Sequence, residues 1–389
     1  MASSAALSLF PELDRDLRTY RQGVLPHQDI AALVEQGHLH ADPPIEPGQL
    51  QPASADLRLG PVAHQVRASF LPGPRQRVGE VLPELTLDTL DLSQGAVLQT
   101  GAVYVIPLLE GLALPQHLIA KANPKSTTGR LDVFTRLIVD YAEQFDRVPK
   151  GYKGPLYVEV APKTFSVRVR TGTRLNQMRF LRGVPAQRDT SHKAAREERA
   201  LVFDENGEPI PASVHSGLWF SVDLKGPGDD GLIGWRARRH APVIDVEKVD
   251  YYEPAEYWEP LFRTEQRQII LSPQEFYILG SKERVRVPPN YAAEMVPYDP
   301  SVGEFRVHYA GFFDPGFGFG EVQGTRAILE VRTHEIPYLL RDGQRIGRLI
   351  YERLLAEPDK LYGTGAGSSY QHQQSGLGKQ FKRALRPRP

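Results

Sequence analysis

Two stretches decide the fold of this chain: Leu98-Gln-Thr-Gly-Ala-Val-Tyr-Val-Ile106 and Leu271-Ser-Pro-Gln-Glu-Phe-Tyr-Ile-Leu279. They align at an offset of 173 residues (98 to 271). A second block, Leu156-Tyr-Val-Glu-Val and Ala327-Ile-Leu-Glu-Val, aligns at an offset of 171 residues (156 to 327), so a small net deletion lies between the blocks. A chain that matches itself over such a length most simply holds two copies of one domain.

Glycine and proline punctuate the chain, with 34 and 33 residues among 389. Between them lie short runs of Val, Leu, Ile, Phe and Tyr, which indicate short strands joined by many turns. The composition favours a mostly β fold of barrels or jelly rolls over a helical or βαβ fold. The length allows two domains with separate cores. We assign residues 1–183 to the first domain, 184–267 to a connecting insert and 268–389 to the second domain.

Two local features are predicted in more detail. Ile30, Leu33 and Val34 follow helical spacing, and Gly37 ends that helix. In the insert, Asp204-Glu-Asn-Gly207 between short apolar runs is typical of a hairpin turn. All three tryptophans of the chain fall in the insert, which indicates a structured segment and not a free linker.

The composition excludes several classes of protein. The formal net charge is zero, so nothing draws the chain as a whole to nucleic acid or to an anionic membrane. No apolar run reaches the roughly 20 residues of a membrane span, and the first ten residues lack the basic region of a signal peptide, so we expect a cytoplasmic protein. Cysteine is absent, which excludes disulfides and the zinc-dependent nucleobase deaminases with their P-C-x-x-C element. The histidines show no metal-binding spacing, so no protein-held metal is predicted.

The candidate binding loop is Lys125-Ser126-Thr127-Thr128-Gly129-Arg130, which follows a strand-like run. Such a loop can offer backbone N–H groups, hydroxyls and positive charge to a phosphate or a polar heterocycle. It is not a Walker A loop, because the order G-x-x-x-x-G-K-[ST] is absent. Ser-Thr-Thr-Gly is also an ordinary turn, so the loop alone does not decide the function.

Several further motifs stand in a fixed order. In chain order they are Gln51-Pro-Ala-Ser-Ala-Asp-Leu-Arg-Leu-Gly60, the loop 125–130, Gly151-Tyr-Lys-Gly-Pro-Leu-Tyr-Val-Glu159, Asp314-Pro-Gly-Phe317 with Glu330, and Pro358-Asp-Lys-Leu-Tyr362 with Tyr370-Gln-His-Gln373. With them the chain resembles the deoxycytidine triphosphate (dCTP) deaminases of the deoxyuridine triphosphatase (dUTPase) superfamily, in their longer tandem form. The resemblance covers most of the chain apart from the insert. It implies two dUTPase-like barrels of the distorted jelly-roll or β-clip kind, with few short helices.

The resemblance implies zinc-independent hydrolytic deamination of dCTP to dUTP and ammonia. A carboxylate must then move the protons, and the family's catalytic glutamate matches Glu159 in the first copy and Glu330 in the second. Ser126 and Arg130 match the groups that hold the water and the developing charge. Substrate-binding roles are implied for Lys125, Thr127, Thr128, Gly129, Asp314, Tyr362, Tyr370 and Gln373. Mg²⁺ would enter with the triphosphate, dTTP is a candidate effector, and a homo-oligomer is expected.

Neither copy carries the complete set of motifs. The first copy has the serine/arginine loop, whereas the second reads Tyr298-Asp-Pro-Ser-Val-Gly303 at that place and has instead Asp314 and the closing tail. We therefore predict one composite site per chain, and we favour Glu159 as its catalytic glutamate because its own copy keeps the loop. Strand alternation alone leaves open that either glutamate faces solvent.

The lysine that binds the phosphates from the tail and the function of the protein both stay open at this stage. The position of the family's phosphate-binding tail lysine reads Ser369, and Lys379 and Lys382 are the alternatives. Asp56 and Arg58 are predicted to form a structural pair. The competing functions are a dUTP diphosphatase, a bifunctional enzyme that gives dUMP, and a nucleotide-binding regulator without catalysis.

Overall fold

The structure is a computed structural model, and it describes residues 22–183, 200–214, 216–296, 305–307, 311–319, 323–333, 335–363 and 376–382. Among the described residues, 45% lie in strands and 9% in helices. The prediction of a mostly β protein with few helices is confirmed, while the jelly-roll or β-clip form of the barrels stays a prediction. Within the described ranges, no helix combines the length and the apolar character needed to cross a bilayer.

The first copy is built from short strands separated by turns. They are β1 (Gly23–Val24), β2 (Leu39–Ala41), β3 (Ala55–Leu57), β4 (Val62–Val66), β5 (Thr86–Asp91), β6 (Ala96–Leu98), β7 (Val103–Ala113), β8 (Leu118–Pro124), β9 (Val133–Val139), β10 (Arg147–Val148), β11 (Lys153–Pro162), β12 (Val167–Val169) and β13 (Asn176–Arg182). One sheet has the order β1-β13-β8-β10, with β3 also on β13; another has the order β5-β4-β7-β11-β9, with β2 also on β7.

The insert and the second copy continue in the same way. Their strands are β14 (Val202–Phe203), β15 (Ser213–Val214), β16 (Leu218–Ser221), β17 (Leu232–Ala237), β18 (Ile244–Asp245), β19 (Trp258–Phe262), β20 (Gln268–Leu271), β21 (Phe276–Val285), β22 (Tyr291–Val296), β23 (Phe305–Val307), β24 (Phe312–Phe313), β25 (Thr325–Thr333), β26 (Tyr338–Arg341) and β27 (Arg345–Arg353). One sheet has the order β19-β17-β21-β25-β23, with β14 also on β21; another has the order β15-β16-β27-β22-β24.

The helices are short. They are α1 (His27–Glu35), α2 (Val78–Leu85), α3 (Ser126–Gly129) and α4 (Pro254–Tyr257), with a 3-10 turn over Pro47–Gln49. The predicted first helix is confirmed as α1, which buries Ile30 and Leu33. The chain leaves it at Gly37, whose φ of 70° suits a residue without a Cβ atom.

The repeat in the sequence reappears as a repeat of strand pairing. β7 pairs with β11 in the first copy as β21 pairs with β25 in the second, and all these pairs are antiparallel. β8 likewise pairs with β13, and β22 with β27. β7 begins at Val103 and β21 at Phe276, which reproduces the sequence offset. Alternate residues of these strands fill two large hydrophobic cores. The first lies mainly in the first copy and also takes in residues of the insert and of β21, and the second is formed by the insert and the second copy.

The insert joins the sheets of both copies. β16 pairs with β27, and β17 pairs with β21, whereas β18 runs parallel to β12 of the first copy. Trp235 and Trp258 are buried in the first core. The predicted hairpin turn is confirmed, because Asp204 Oδ1 accepts hydrogen bonds of 2.9 Å from the N–H groups of Asn206 and Glu208. The insert therefore ties the copies together, and the boundaries assigned at 183 and 267 stay a prediction.

The two copies face each other through equivalent strands. Lys121 on β8 and Glu294 on β22 stand at the same position of the repeat, and their side chains form an ion pair of 2.5 Å. Lys121 also pairs with Glu352 of β27 at 2.7 Å. Buried charges cost several kcal/mol each unless they are paired, so this cluster favours one alignment of the copies. Because β8 leads directly into the loop 125–130, the ion pairs of Lys121 also hold that loop next to the second copy.

Candidate active site

A cavity of about 530 Å³ opens between the two copies. The first copy lines it with the loop 125–130, the second with β25 and the segment 311–317, and the C-terminal region with residues 362, 379 and 380. We call it the interdomain cavity. A space of this size is in the range of small-molecule sites.

The loop after β8 forms one helical turn, α3. The N–H groups of Thr128 and Gly129 both donate to the carbonyl of Lys125, at 2.8 and 3.0 Å, and the N–H of Arg130 donates to Ser126. The Thr128 hydroxyl donates to the carbonyl of Leu175 at 2.7 Å. These donors hold the turn itself, so the expected offer of backbone N–H groups to a ligand does not apply to them. Ser126 and Thr127 remain on the cavity wall.

Glu330 of β25 lies against this turn. Its carboxylate fills the space that a side chain on Gly129 would occupy: a Cβ atom there would stand 2.3 Å from Glu330 Oε2. The side chain is largely buried. Burial raises the pKa of Glu330 well above its ordinary value, against the opposing charge of Arg130 and with the help of the negative Asp132. The second copy therefore places a buried carboxyl group with a raised pKa against the loop of the first copy.

Arg130 is buried at the same wall. Its Nη1 donates to the carbonyl of Leu377 at 3.3 Å, which connects the loop to the C-terminal region. Just behind it, the carboxylate of Asp132 is paired with Arg332 of β25. Glu330 and Arg332 are two residues apart and lie on one face of their strand. The ion pair of Arg332 therefore fastens the strand that positions Glu330.

Glu159 lies elsewhere, and the expectation that it shares a site with the loop is corrected by the structure. Val158 and Val160 face the first core, so strand alternation turns Glu159 to the opposite face of β11. There it accepts hydrogen bonds from Arg136 Nη2 at 2.6 Å and Nε at 3.0 Å. It does not line the interdomain cavity. Of the two glutamates related by the repeat, Glu330 lines the cavity beside the loop of the other copy, and which of them is catalytic stays a prediction.

Asp314 and Tyr362 both line the interdomain cavity. Burial raises the pKa of Asp314 to about 6, with Arg179 lowering it and Asp56 raising it further. The N–H of Tyr362 donates to the carbonyl of Pro315 at 2.8 Å. The segment that follows Asp314 thus holds Tyr362 at the cavity. The predicted contacts Tyr370 and Gln373 lie outside the described residues.

Two lysines on the cavity wall, Lys125 and Lys379, differ in whether the ammonium group already has an ion-pair partner. The ammonium of Lys125 is paired with the carboxylate of Asp56. Lys379 lines the cavity, and its side chain has no ion-pair or hydrogen-bond partner among the described residues. Lys382 is instead paired with Glu253, outside the cavity.

The expected pair of Asp56 and Arg58 is wrong. Arg58 Nε donates to Glu110 Oε1 at 2.7 Å, while Asp56 pairs with Lys125 and lines the cavity. Sequence reasoning also missed further polar wall residues, namely Arg174, Gln177, Glu247 and Arg326. Asp56 and Gln51 also line the cavity, and both lie in the motif 51–60, which could have drawn attention to them. The others lie on strands and loops that no local pattern marks.

Comparison with known proteins shows which family the chain is similar to. Residues 21–184 match the model of the 2'-deoxycytidine 5'-triphosphate deaminase N-terminal domain, and residues 188–381 match that of the C-terminal domain. The solved 2'-deoxycytidine 5'-triphosphate deaminase from Agrobacterium tumefaciens is 51% identical, with a TM-score of 0.84. The match covers 90% of this chain and 100% of that one.

More distant relatives match a smaller part of the chain. The "dCTP deaminase, dUMP-forming" of Halobacterium salinarum is 33% identical over 140 residues, which are 35% of this chain and 67% of the relative. The "dCTP deaminase" of Haloarcula marismortui is 28% identical over 167 residues, which are 40% of this chain and 79% of the relative. The chain belongs to the dCTP deaminase family of the dUTPase-like superfamily.

Proposed function

We propose that the chain deaminates dCTP hydrolytically in the interdomain cavity and releases dUTP and ammonia. The observation that carries the proposal is the buried Glu330 carboxyl against the serine/arginine turn of the other copy, with its pKa raised by burial. A catalytic acid or base works best when its pKa lies near the working pH. An ordinary glutamate is fully ionised at neutral pH, and burial raises the pKa of Glu330 towards neutral pH.

The chemistry needs one group that both takes and gives protons. In its ionised form Glu330 accepts a proton from a water molecule as the oxygen of that water bonds to C4 of the cytosine. The protonated carboxyl passes this proton to the ring nitrogen N3, then takes the second proton from the hydroxyl group now on C4 and gives it to the amino nitrogen N4. The C4–N4 bond then breaks, ammonia leaves, and C4 keeps the oxygen as a carbonyl. Protons and atoms balance with water as the co-reactant.

Ser126 and Arg130 act beside this carboxyl. The Ser126 hydroxyl holds the attacking water, and the Arg130 guanidinium stabilises negative charge as it develops. An arginine suits this role because it stays charged and its donors form a rigid fork. Preorganised donors of this kind contribute about 10²–10³-fold each in comparable sites.

No metal held by the protein enters the proposal. The chain has no cysteine to hold zinc in the way that the zinc nucleobase deaminases do. Among the described residues, no group of three or more His, Asp or Glu side chains could hold an ion. Mg²⁺ usually binds through one or two carboxylates together with substrate phosphates. The Asp56 carboxylate on the cavity wall is already paired with Lys125, so in this proposal Mg²⁺ is held by the substrate phosphates and would shield the charge of the triphosphate. The effector dTTP and a homo-oligomer stay predictions.

The test is incubation of the purified protein with dCTP and Mg²⁺, with assay of ammonia and chromatography of the nucleotide. Ammonia together with dUTP is expected. Glu330→Gln should lower kcat by about 10²–10⁴-fold, whereas Glu159→Gln, which removes a charge outside the cavity, should keep kcat. An inactive Glu159→Gln beside an active Glu330→Gln would reverse the assignment.

A second product is favoured by a specific observation, the name "dUMP-forming" of the Halobacterium salinarum relative. Release of dUMP needs a further water directed at the α-phosphate in addition to the attack on C4. The same chromatogram separates the cases: ammonia with dUMP and pyrophosphate gives the bifunctional enzyme. If the protein binds dCTP but releases no ammonia, it does not deaminate dCTP, and the nucleotide-binding regulator without catalysis is the remaining alternative.

A further inference from the structure

The C-terminal segment 376–382 is bound along the insert. The N–H of Asp250 donates to the carbonyl of Lys379 at 2.9 Å, and the N–H of Tyr251 donates to that of Gln380, also at 2.9 Å. The N–H of Lys382 returns a bond of 2.9 Å to the carbonyl of Tyr252. The two stretches therefore run side by side in parallel, as the bridge between Tyr252 and Phe381 shows.

Phe381 is the apolar centre of this contact. Its ring lies edge-on to the rings of Tyr257 and Trp258, with centroids 5.4 and 5.8 Å away, and tilted against Tyr252 at 6.3 Å. Only 2% of the residue is exposed. Edge-to-face aromatic packing adds to the gain from burial. The ion pair between Lys382 and Glu253 is half exposed and contributes little. Phe381 is therefore the principal anchor of the segment.

Towards its start the segment reaches Arg130, and its middle, Lys379 and Gln380, lines the interdomain cavity. The carbonyl of Leu377 accepts the hydrogen bond of Arg130 Nη1, and Leu377 itself is buried in the first core. Gln380 lies on the cavity wall, and its Nε2 donates to the carbonyl of Val246 in the insert at 3.0 Å. One short piece of chain thus connects the insert to the arginine that the proposed reaction depends on.

We infer that the insert is the anchor of the C-terminal segment, and that Phe381 is a positioning residue that holds the Leu377 carbonyl on Arg130. The inference rests on the proposed function where it concerns the rate of reaction. Phe381 touches neither substrate nor reacting atoms. Its removal frees the segment, and the Arg130 guanidinium loses the Leu377 carbonyl as an acceptor. The role of the insert, which has no counterpart in the repeat, follows from this contact.

The variants for the test are Phe381→Ala and the conservative Phe381→Leu. Glu253→Ala is the matched control, since it removes the exposed ion pair of the same segment and leaves the aromatic contact. The readouts are kcat and KM for ammonia release from dCTP, and hydrogen exchange of the amides of residues 250–252, whose acceptors include the segment. Circular dichroism confirms that each variant is folded.

Phe381→Ala should speed exchange at residues 250–252 and lower kcat by on the order of 10²-fold, as expected for a catalytic group displaced by about 1 Å. KM should change less, and Phe381→Leu should fall between Ala and the wild type. If Phe381→Ala exchanges faster but keeps the wild-type kcat, Phe381 does not position Arg130. If its exchange at residues 250–252 is unchanged, Phe381 does not anchor the segment to the insert. If the wild type itself releases no ammonia, the proposed function fails, and exchange at residues 250–252 still decides the anchor.

Discussion

Replacing Gly129 with alanine tests the contact between the two copies directly. The added Cβ atom would stand 2.3 Å from Glu330 Oε2, 2.7 Å from Cδ and 2.8 Å from Oε1. Ordinary contacts begin at about 3.5 Å, so the carboxyl group must retreat by about 1 Å. The φ of Gly129 is not in the left-handed region, so alanine can adopt its backbone conformation. Any effect therefore comes from Glu330.

A displacement of about 1 Å at a catalytic group can cost on the order of 10² in rate, which corresponds to about 2.7 kcal/mol of activation free energy. The free energy of unfolding should fall by about 1–3 kcal/mol, the usual cost of overpacking a buried site. The assay is kcat/KM for ammonia release from dCTP, with urea unfolding of the same preparation.

Gly79→Ala is the matched control for this prediction. Gly79 lies inside α2, and a Cβ atom there would meet only the hydroxyl of Tyr157 at an ordinary 3.7 Å. Alanine in a helix interior is more stable than glycine by about 0.5–1 kcal/mol, so this variant should keep its activity and unfold at slightly higher urea. A folded Gly129→Ala enzyme with wild-type kcat/KM would refute the placement of Glu330 at the reacting carbon.

Three further predictions concern charge. Lys121→Ala removes the lysine partner of the buried Glu352 and the partly buried Glu294 and should lower the free energy of unfolding by about 3–5 kcal/mol in urea titrations. Lys225→Ala, whose ion pair is exposed, should cost less than about 1 kcal/mol, and equal losses would contradict this. Burial raises the pKa of Asp314 to about 6 from 3.8, so its ionisation destabilises the fold as pH rises from about 4 to about 6. In Asp314→Asn this pH-dependent loss of stability should be smaller by on the order of 2–3 kcal/mol. If the unfolding midpoints of the wild type and the variant change in parallel with pH, the prediction is wrong. Lys379→Ala should raise the KM for dCTP several-fold more than Lys382→Ala, and the reverse order in steady-state kinetics would assign the phosphate contact to the other lysine.

The choice between the two glutamates shows where sequence reasoning reached its limit. Glu159 and Glu330 occupy the same position of the repeat and have similar neighbours along the chain. What separates them is the partner that each side chain meets across space, Arg136 for Glu159 and the turn at Gly129 for Glu330. Proximity in sequence to the serine/arginine loop favoured Glu159, but a residue in the other copy is closer in space.

The linear order of residues was sufficient for everything that depends on local periodicity and repetition. It predicted the mostly β character, the internal repeat, the helix that ends before Gly37, and the polar loop 125–130, because strand alternation, turn chemistry and self-similarity are properties of short stretches. Only the tertiary structure decided which faces of the copies meet. The pairing of Lys121 with Glu294 and the binding of Phe381 by the insert are contacts between distant parts of the chain, and the burial that raises the pKa of Glu330 arises only when those parts have packed together.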